Sequence, residues 1–199
     1  MRAPRRGVRS GGKDVILSGA KNPPLTLSLK GSILQFNIYK IIPLALFAVY
    51  GLSCALSPSS YGFMDRVDLV FHEAGHAIFR VFGWEFLMVL GGTLMQLIMP
   101  AAITAYFFIN GQRFSSGVTG IWLAQSIFNV SVYAKDAWDM ELPLLGGEDS
   151  IHDWNYMLNS LGLLGHAELV SNIIYITGFS VLVFSLALGV YNSKGVQNG

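Results

Sequence analysis

"FLMVLGGTLMQLIMPAAITAYFFIN", residues 86–110, holds 25 consecutive positions without a charge. A helix needs roughly 20 apolar residues to cross the hydrocarbon of a bilayer, so this run predicts a membrane-spanning helix. Apolar segments recur on both sides of it. Upstream lie residues 38–56, "IYKIIPLALFAVYGLSCAL", and residues 64–83, "MDRVDLVFHEAGHAIFRVFG". Downstream lie residues 117–134, "GVTGIWLAQSIFNVSVYA", and residues 169–191, "LVSNIIYITGFSVLVFSLALGVY". Together they predict an all-α, polytopic membrane helix bundle of about four to five transmembrane helices, occupying residues 36–192. Residues 38–56 also fit a signal peptide, with a basic front and small residues at "SCALS".

Composition supports a bilayer as the solvent. The 199 residues are 52% hydrophobic and 13% charged, outside the range of an ordinary soluble domain on both counts, and the mean hydropathy is +0.49. The expected location is the cell membrane, with lipid as the first partner. The single cysteine, Cys54, excludes an internal disulfide framework and a cysteine-based zinc ribbon. A metal would have to use histidine and carboxylate.

Charge is unevenly spread. Arg2, Arg5, Arg6, Arg9, Lys13, Lys21 and Lys30 face one acid, Asp14, in the first 30 residues, and the remainder is net acidic. Residues 1–35 lack hydrophobic periodicity and are expected to be a disordered basic tail, either simply solvated or a positive flank that holds the first membrane segment inside, in preference to a nucleic-acid arm. "VILSGAKNPPLTLSLKG" resembles translated repeat sequence, which would put the native start further along the chain.

Within residues 64–83, "VFHEAGHAIF" (70–79) sets three polar side chains in an apolar run. Ionisable residues at membrane depth are costly and are functional candidates by default. His72 and His76 are one helical turn apart on one face, so their imidazoles can converge on one ion. Glu73 lies about 100° around the axis from His72 and can reach a metal-bound water in place of the metal. Zinc suits this HExxH arrangement because it accepts imidazole nitrogen in a tetrahedral shell with a position left for water. The ion lowers the pKa of that water to about 7, and the carboxylate takes its proton.

HEAGH in a membrane-embedded helix resembles the site-2 protease group of intramembrane zinc metalloproteases. In that group a Gly-rich turn follows the motif, and an Asn-bearing helix leads to an Asp in an "N…LDG" stretch. Gly91, Gly92 and Gln96 resemble the first element, and "FNVSVYAKDA" resembles the second. The resemblance spans about residues 67–140. It implies Zn2+ as cofactor, Glu73 as catalytic base and His72, His76 and Asp136 as metal ligands. It also implies Gly92, Gln96 and Asn129 as substrate-binding residues and a transmembrane-helix protein as substrate, although hydrogen bonding between helices accounts for Gln96 and Asn129 equally well. Asp136 is followed by Ala where the group has Gly, and no proline separates it from Asn129.

A rival third ligand comes from the polar stretch "GGEDSIHDW", where His152 stands beside Asp153 in a loop with a turn at Gly146 and Gly147. His152 could complete the metal shell with Asp153 as its carboxylate partner, could be an acid that stabilises the tetrahedral intermediate, or could belong to a plain solvated loop. Asp136 and His152 both fall on the side to which the ends of segments 64–83 and 117–134 emerge, and both stay open. The expected activity is that of a multi-pass membrane zinc metalloendopeptidase. The alternative is a non-proteolytic zinc-binding membrane protein with a structural, regulatory or transport role.

Overall fold

The computed structural model describes residues 26–27, 36–142 and 151–194. The basic head and the Gly146–Gly147 turn therefore fall outside the described residues, except for Thr26–Leu27 (β1), which pairs antiparallel with Phe36–Asn37 (β2). The rest is helical: α1 Ile38–Leu56, α2 Phe63–Phe79, α3 Glu85–Ile109, α4 Arg113–Lys135, α5 Asp153–Ser160 and α6 Ala167–Asn192. The fold is an all-α helical bundle.

Three helical segments, Ile38–Leu56, Glu85–Ile109 and Leu164–Asn192, are long and apolar enough to cross a membrane. The segments expected at 64–83 and 117–134 form helices too, but neither reaches that standard, for different physical reasons. α2 is 17 residues long, carries the acidic and histidine side chains, and ends in a 3-10 turn, Arg80–Phe82. α4 is the central helix, with twelve of its 23 residues buried, so Gln125, Ser126 and Ser131 are enclosed by protein. A helix shielded by its neighbours can be polar at membrane depth.

Local chemistry sets the boundaries that matter for the site. The Asp65 carboxylate accepts the Gly62 N–H at 2.7 Å and so pins the start of α2. Gly83 adopts φ 65°, the left-handed conformation that ends a helix at low cost, and releases the chain into α3. Helices α2 and α3 then pack back to back through glycines. A Cβ on Gly75 would collide with the Gly91 carbonyl oxygen, and one on Gly91 would lie 2.7 Å from Phe79 Cβ.

On the other side, α4 packs along α6 in the same manner, with Gly117 against the Gly189 backbone and Gly120 against Ser185. Leu44, Ala55, Ile121, Ala124, Phe128 and Leu182 form the apolar core where α1, α4 and α6 meet. Small residues at such contacts let backbones approach closely, which is how helices gain packing energy where the surroundings are as apolar as the helices themselves.

Candidate metal centre

α2 delivers His72 and His76 to one point. Their rings lie 4.8 Å apart, nearly edge to face. The third group comes from the N-terminus of α5: Asp153 Oδ2 is 2.7 Å from His72 Nε2 and 3.1 Å from His76 Nε2. His72 and Asp153 are buried and His76 is half-buried. Among the described residues these three are the one cluster of His, Cys, Asp and Glu side chains able to hold a metal ion, with ligand atoms all within 4.8 Å of one another.

The far nitrogens of the two imidazoles are already engaged. His72 Nδ1 is 3.1 Å from Gln96 Oε1, and His76 Nδ1 is 3.0 Å from the Met88 carbonyl oxygen. Oxygens of this kind only accept, so each Nδ1 carries the proton. In the neutral form of the ring, Nε2 is then left with a bare lone pair. Two nitrogen lone pairs and a carboxylate oxygen facing one another at these distances repel unless a cation lies among them, whether protons on the histidines or a metal ion. An outer hydrogen bond that fixes the imidazole tautomer is the usual companion of histidine ligation.

Two further features fit a metal. The donor set of two imidazole nitrogens and one carboxylate oxygen suits zinc and leaves a coordination position free. Gly92 faces the cluster with bare backbone: a Cβ there would lie 2.6 Å from His76 Nε2 and 2.7 Å from His72 Nε2, filling the space in front of both. Burial raises the Asp153 carboxyl, but the hydrogen bonds and charges of His72 and His76 outweigh it and hold the group below its ordinary value.

Neither Asp136 nor His152 stands at the histidines. α4 remains regular helix through Lys135, so Asp136 sits at its C-terminal cap, where its carboxylate accepts the Glu141 and Leu142 N–H groups. Its Oδ2 also bonds His152 Nε2 at 3.0 Å. His152 Nδ1 in turn accepts the Asn155 N–H and caps α5. With both nitrogens of His152 used, no lone pair is left for a metal.

The pair instead anchors the start of α5 and thereby places Asp153, whose own N–H donates to the Tyr133 hydroxyl at 3.1 Å. The residue that meets the histidines is Asp153, expected from sequence as the carboxylate partner of His152. Tyr133 carried no signal beyond its place one residue before the end of the segment expected at 117–134.

Of the residues expected to bind substrate, Gly92 faces the histidines, while Gln96 and Asn129 are hydrogen-bonded to each other at 2.8 Å and, through Gln96, to His72. Glu73, adjacent to His72, is exposed. Compared with protein-family models, with curated proteins and with solved structures, the chain matches none.

Proposed function

We propose that the chain is a multi-pass zinc metalloendopeptidase of the cell membrane, similar in chemistry to the site-2 proteases, acting on a transmembrane-helix protein. The observation that carries this reading is the convergence of His72 Nε2, His76 Nε2 and Asp153 Oδ2 while both Nδ1 atoms are committed elsewhere. His72, His76 and Asp153 would hold the ion. A divalent metal in such a site supplies Lewis acidity and lowers the pKa of water toward about 7.

The chain's own groups do the rest. Glu73 shares the helix with both ligands and is exposed, and its carboxylate would take a proton from the attacking water and return it to the leaving amide nitrogen. Gly92 keeps the approach to the ligand atoms open, since any side chain there would occupy it. A structural metal site has no need of a free carboxylate beside an open position, which favours hydrolysis over a non-proteolytic role.

The test is co-reconstitution of the full chain with a mixture of single-pass membrane helices in proteoliposomes, with new N-termini read by mass spectrometry. Cuts within the spans, blocked by chelator and absent in Glu73→Gln with its zinc retained, are the expected result. Bound zinc with no cuts in the wild type would replace the protease reading with a non-proteolytic zinc-binding membrane protein.

A further inference from the structure

We propose that Asp65 is a positioning residue that fixes the tautomer of His72, acting through Asn129 and Gln96, so that His72 offers Nε2 and not Nδ1 to a metal. The inference rests on the metal-binding part of the proposed function and not on proteolysis.

Asp65 lies on α2 two turns before His72 and is 5% exposed. Its carboxylate accepts three N–H donors: Gly62 N at 2.7 Å on Oδ2, and Gln125 Nε2 and Asn129 Nδ2, each at 2.9 Å, on Oδ1. A carboxylate whose two oxygens are already met by three N–H donors accepts at both of them. Asn129 therefore turns its amide nitrogen to Asp65 and its oxygen to Gln96 Nε2, 2.8 Å away. Gln96 must in turn present Oε1 to His72, whose Nδ1 stands 3.1 Å from it. Every donor in the chain points toward Asp65, and the last of them is the Nδ1–H of His72.

The two amides are nearly symmetric in shape, so neither sets a direction by itself. Direction comes from the one member that cannot donate. Reversing one amide alone would set donor against donor at one contact and acceptor against acceptor at the next, in a buried setting where water cannot compensate. His76 needs no such chain, because a backbone carbonyl, that of Met88, holds its Nδ1 directly. Gln96 and Asn129, which the family resemblance would give to substrate, thus have their polar atoms committed to a ligand.

Asp65→Asn is the informative change because it can run the chain backwards. The amide introduced at position 65 would keep its oxygen on the Gly62 N–H. Its nitrogen would turn toward Asn129 and toward Gln125, whose Oε1 has no hydrogen-bond partner among the described residues of the wild type. Asn129 and Gln96 would then reverse in step, and Gln96 would donate to His72 Nδ1 and drive the proton to Nε2. Adding Gln96→Glu restores an obligate acceptor beside His72 while leaving the reversed amides at positions 65 and 129 fully bonded.

The experiment measures zinc affinity of the full chain in detergent micelles by competition with a chromophoric chelator, together with 15N-histidine spectra of the zinc-loaded protein. Asp65→Asn is expected to weaken zinc binding by about 10- to 100-fold, and the Asp65→Asn/Gln96→Glu double variant to recover most of it. The wild-type spectrum should show a protonated Nδ1 on both ligand histidines. Gln96→Met, which leaves the start of α2 untouched, should reproduce the loss if Asp65→Asn fails to fold. Wild-type affinity in Asp65→Asn or Gln96→Met, or a loss that Gln96→Glu does not repair, would overturn the relay. A wild type that binds no zinc would instead overturn the metal reading beneath it.

Discussion

His152 Nε2 lies 3.0 Å from Asp136 Oδ2, and this pair joins the C-terminal cap of α4 to the N-terminal cap of α5. The two residues that sequence offers as rival third ligands thus bind each other, and between them they place the carboxylate that faces the histidines.

That relationship separates the roles by magnitude. Asp153→Ala removes a proposed ligand atom, whereas Asp136→Asn weakens only the anchor behind it. Elemental mass spectrometry of the purified protein should find roughly one zinc per chain in the wild type and none in His72→Ala or Asp153→Ala. Asp136→Asn and His152→Ala should keep the metal with affinity lowered by about 10-fold, the scale of an outer hydrogen-bond partner. Full zinc content in Asp153→Ala with none in Asp136→Ala would return the third-ligand role to Asp136.

Gly92 offers a steric test of the same centre. Its missing side chain is the space in front of both Nε2 atoms, so Gly92→Ala should lower zinc affinity at least about 10-fold while circular dichroism shows unchanged helix content. Gly165→Ala is the control, because a Cβ there meets nothing within 4 Å. Equal affinity in the two variants would show that the space before the histidines is not where the ion sits.

Much of this architecture is legible in the sequence, and the reasons differ by element. α1, α3 and α6 announce themselves because their sequences are long, almost uncharged apolar runs, and the expected bounds of 38–56, 86–110 and 169–191 fall within a few residues of those found. HEAGH is legible because its two histidines share a helix, where spacing alone fixes which side chains meet. Asp153 is 81 residues from His72 and reaches it through a cap that depends on Asp136, so no local period could reveal it. The same holds for Asp65. On sequence it is the acid of a first helical turn, and its reach to Asn129 exists only once α2 and α4 are packed.

Metal removal should expose the electrostatics of the cluster. Hydrogen bonds from the histidines hold the Asp153 carboxyl below its ordinary value against the opposing effect of burial. A folded value below the unfolded one gives stability that is fully present above the ordinary carboxylate range of about 4 and is lost as the pH falls through the depressed folded value. Thermal unfolding of chelator-treated protein should therefore drop on the acid side of about pH 4, and Asp153→Asn should flatten that drop. At neutral pH, zinc at 100 times its Kd should stabilise the wild type by about 2.7 kcal/mol and Asp153→Asn by much less. An acid limb identical in the two proteins would remove Asp153 from the linkage.

The contact of Gly75 with Gly91 sets how close α2 and α3 can come, and therefore whether His72 and His76 meet Gly92 and Met88 at all. A methyl group at position 75 has backbone in its path, the Gly91 carbonyl oxygen, and a carbonyl within a helix cannot swing aside as a side chain can. Gly75→Ala should force the two helices apart and cost about 1–3 kcal/mol, the usual range for overpacking. Separation also stretches the bond from His76 Nδ1 to the Met88 carbonyl, now 3.0 Å, so the loss of stability should come with a loss of zinc. Chemical unfolding in detergent and chelator competition on the same samples would measure both. A destabilised Gly75→Ala that binds zinc as tightly as the wild type would show that the helix spacing and the ligand geometry are independent.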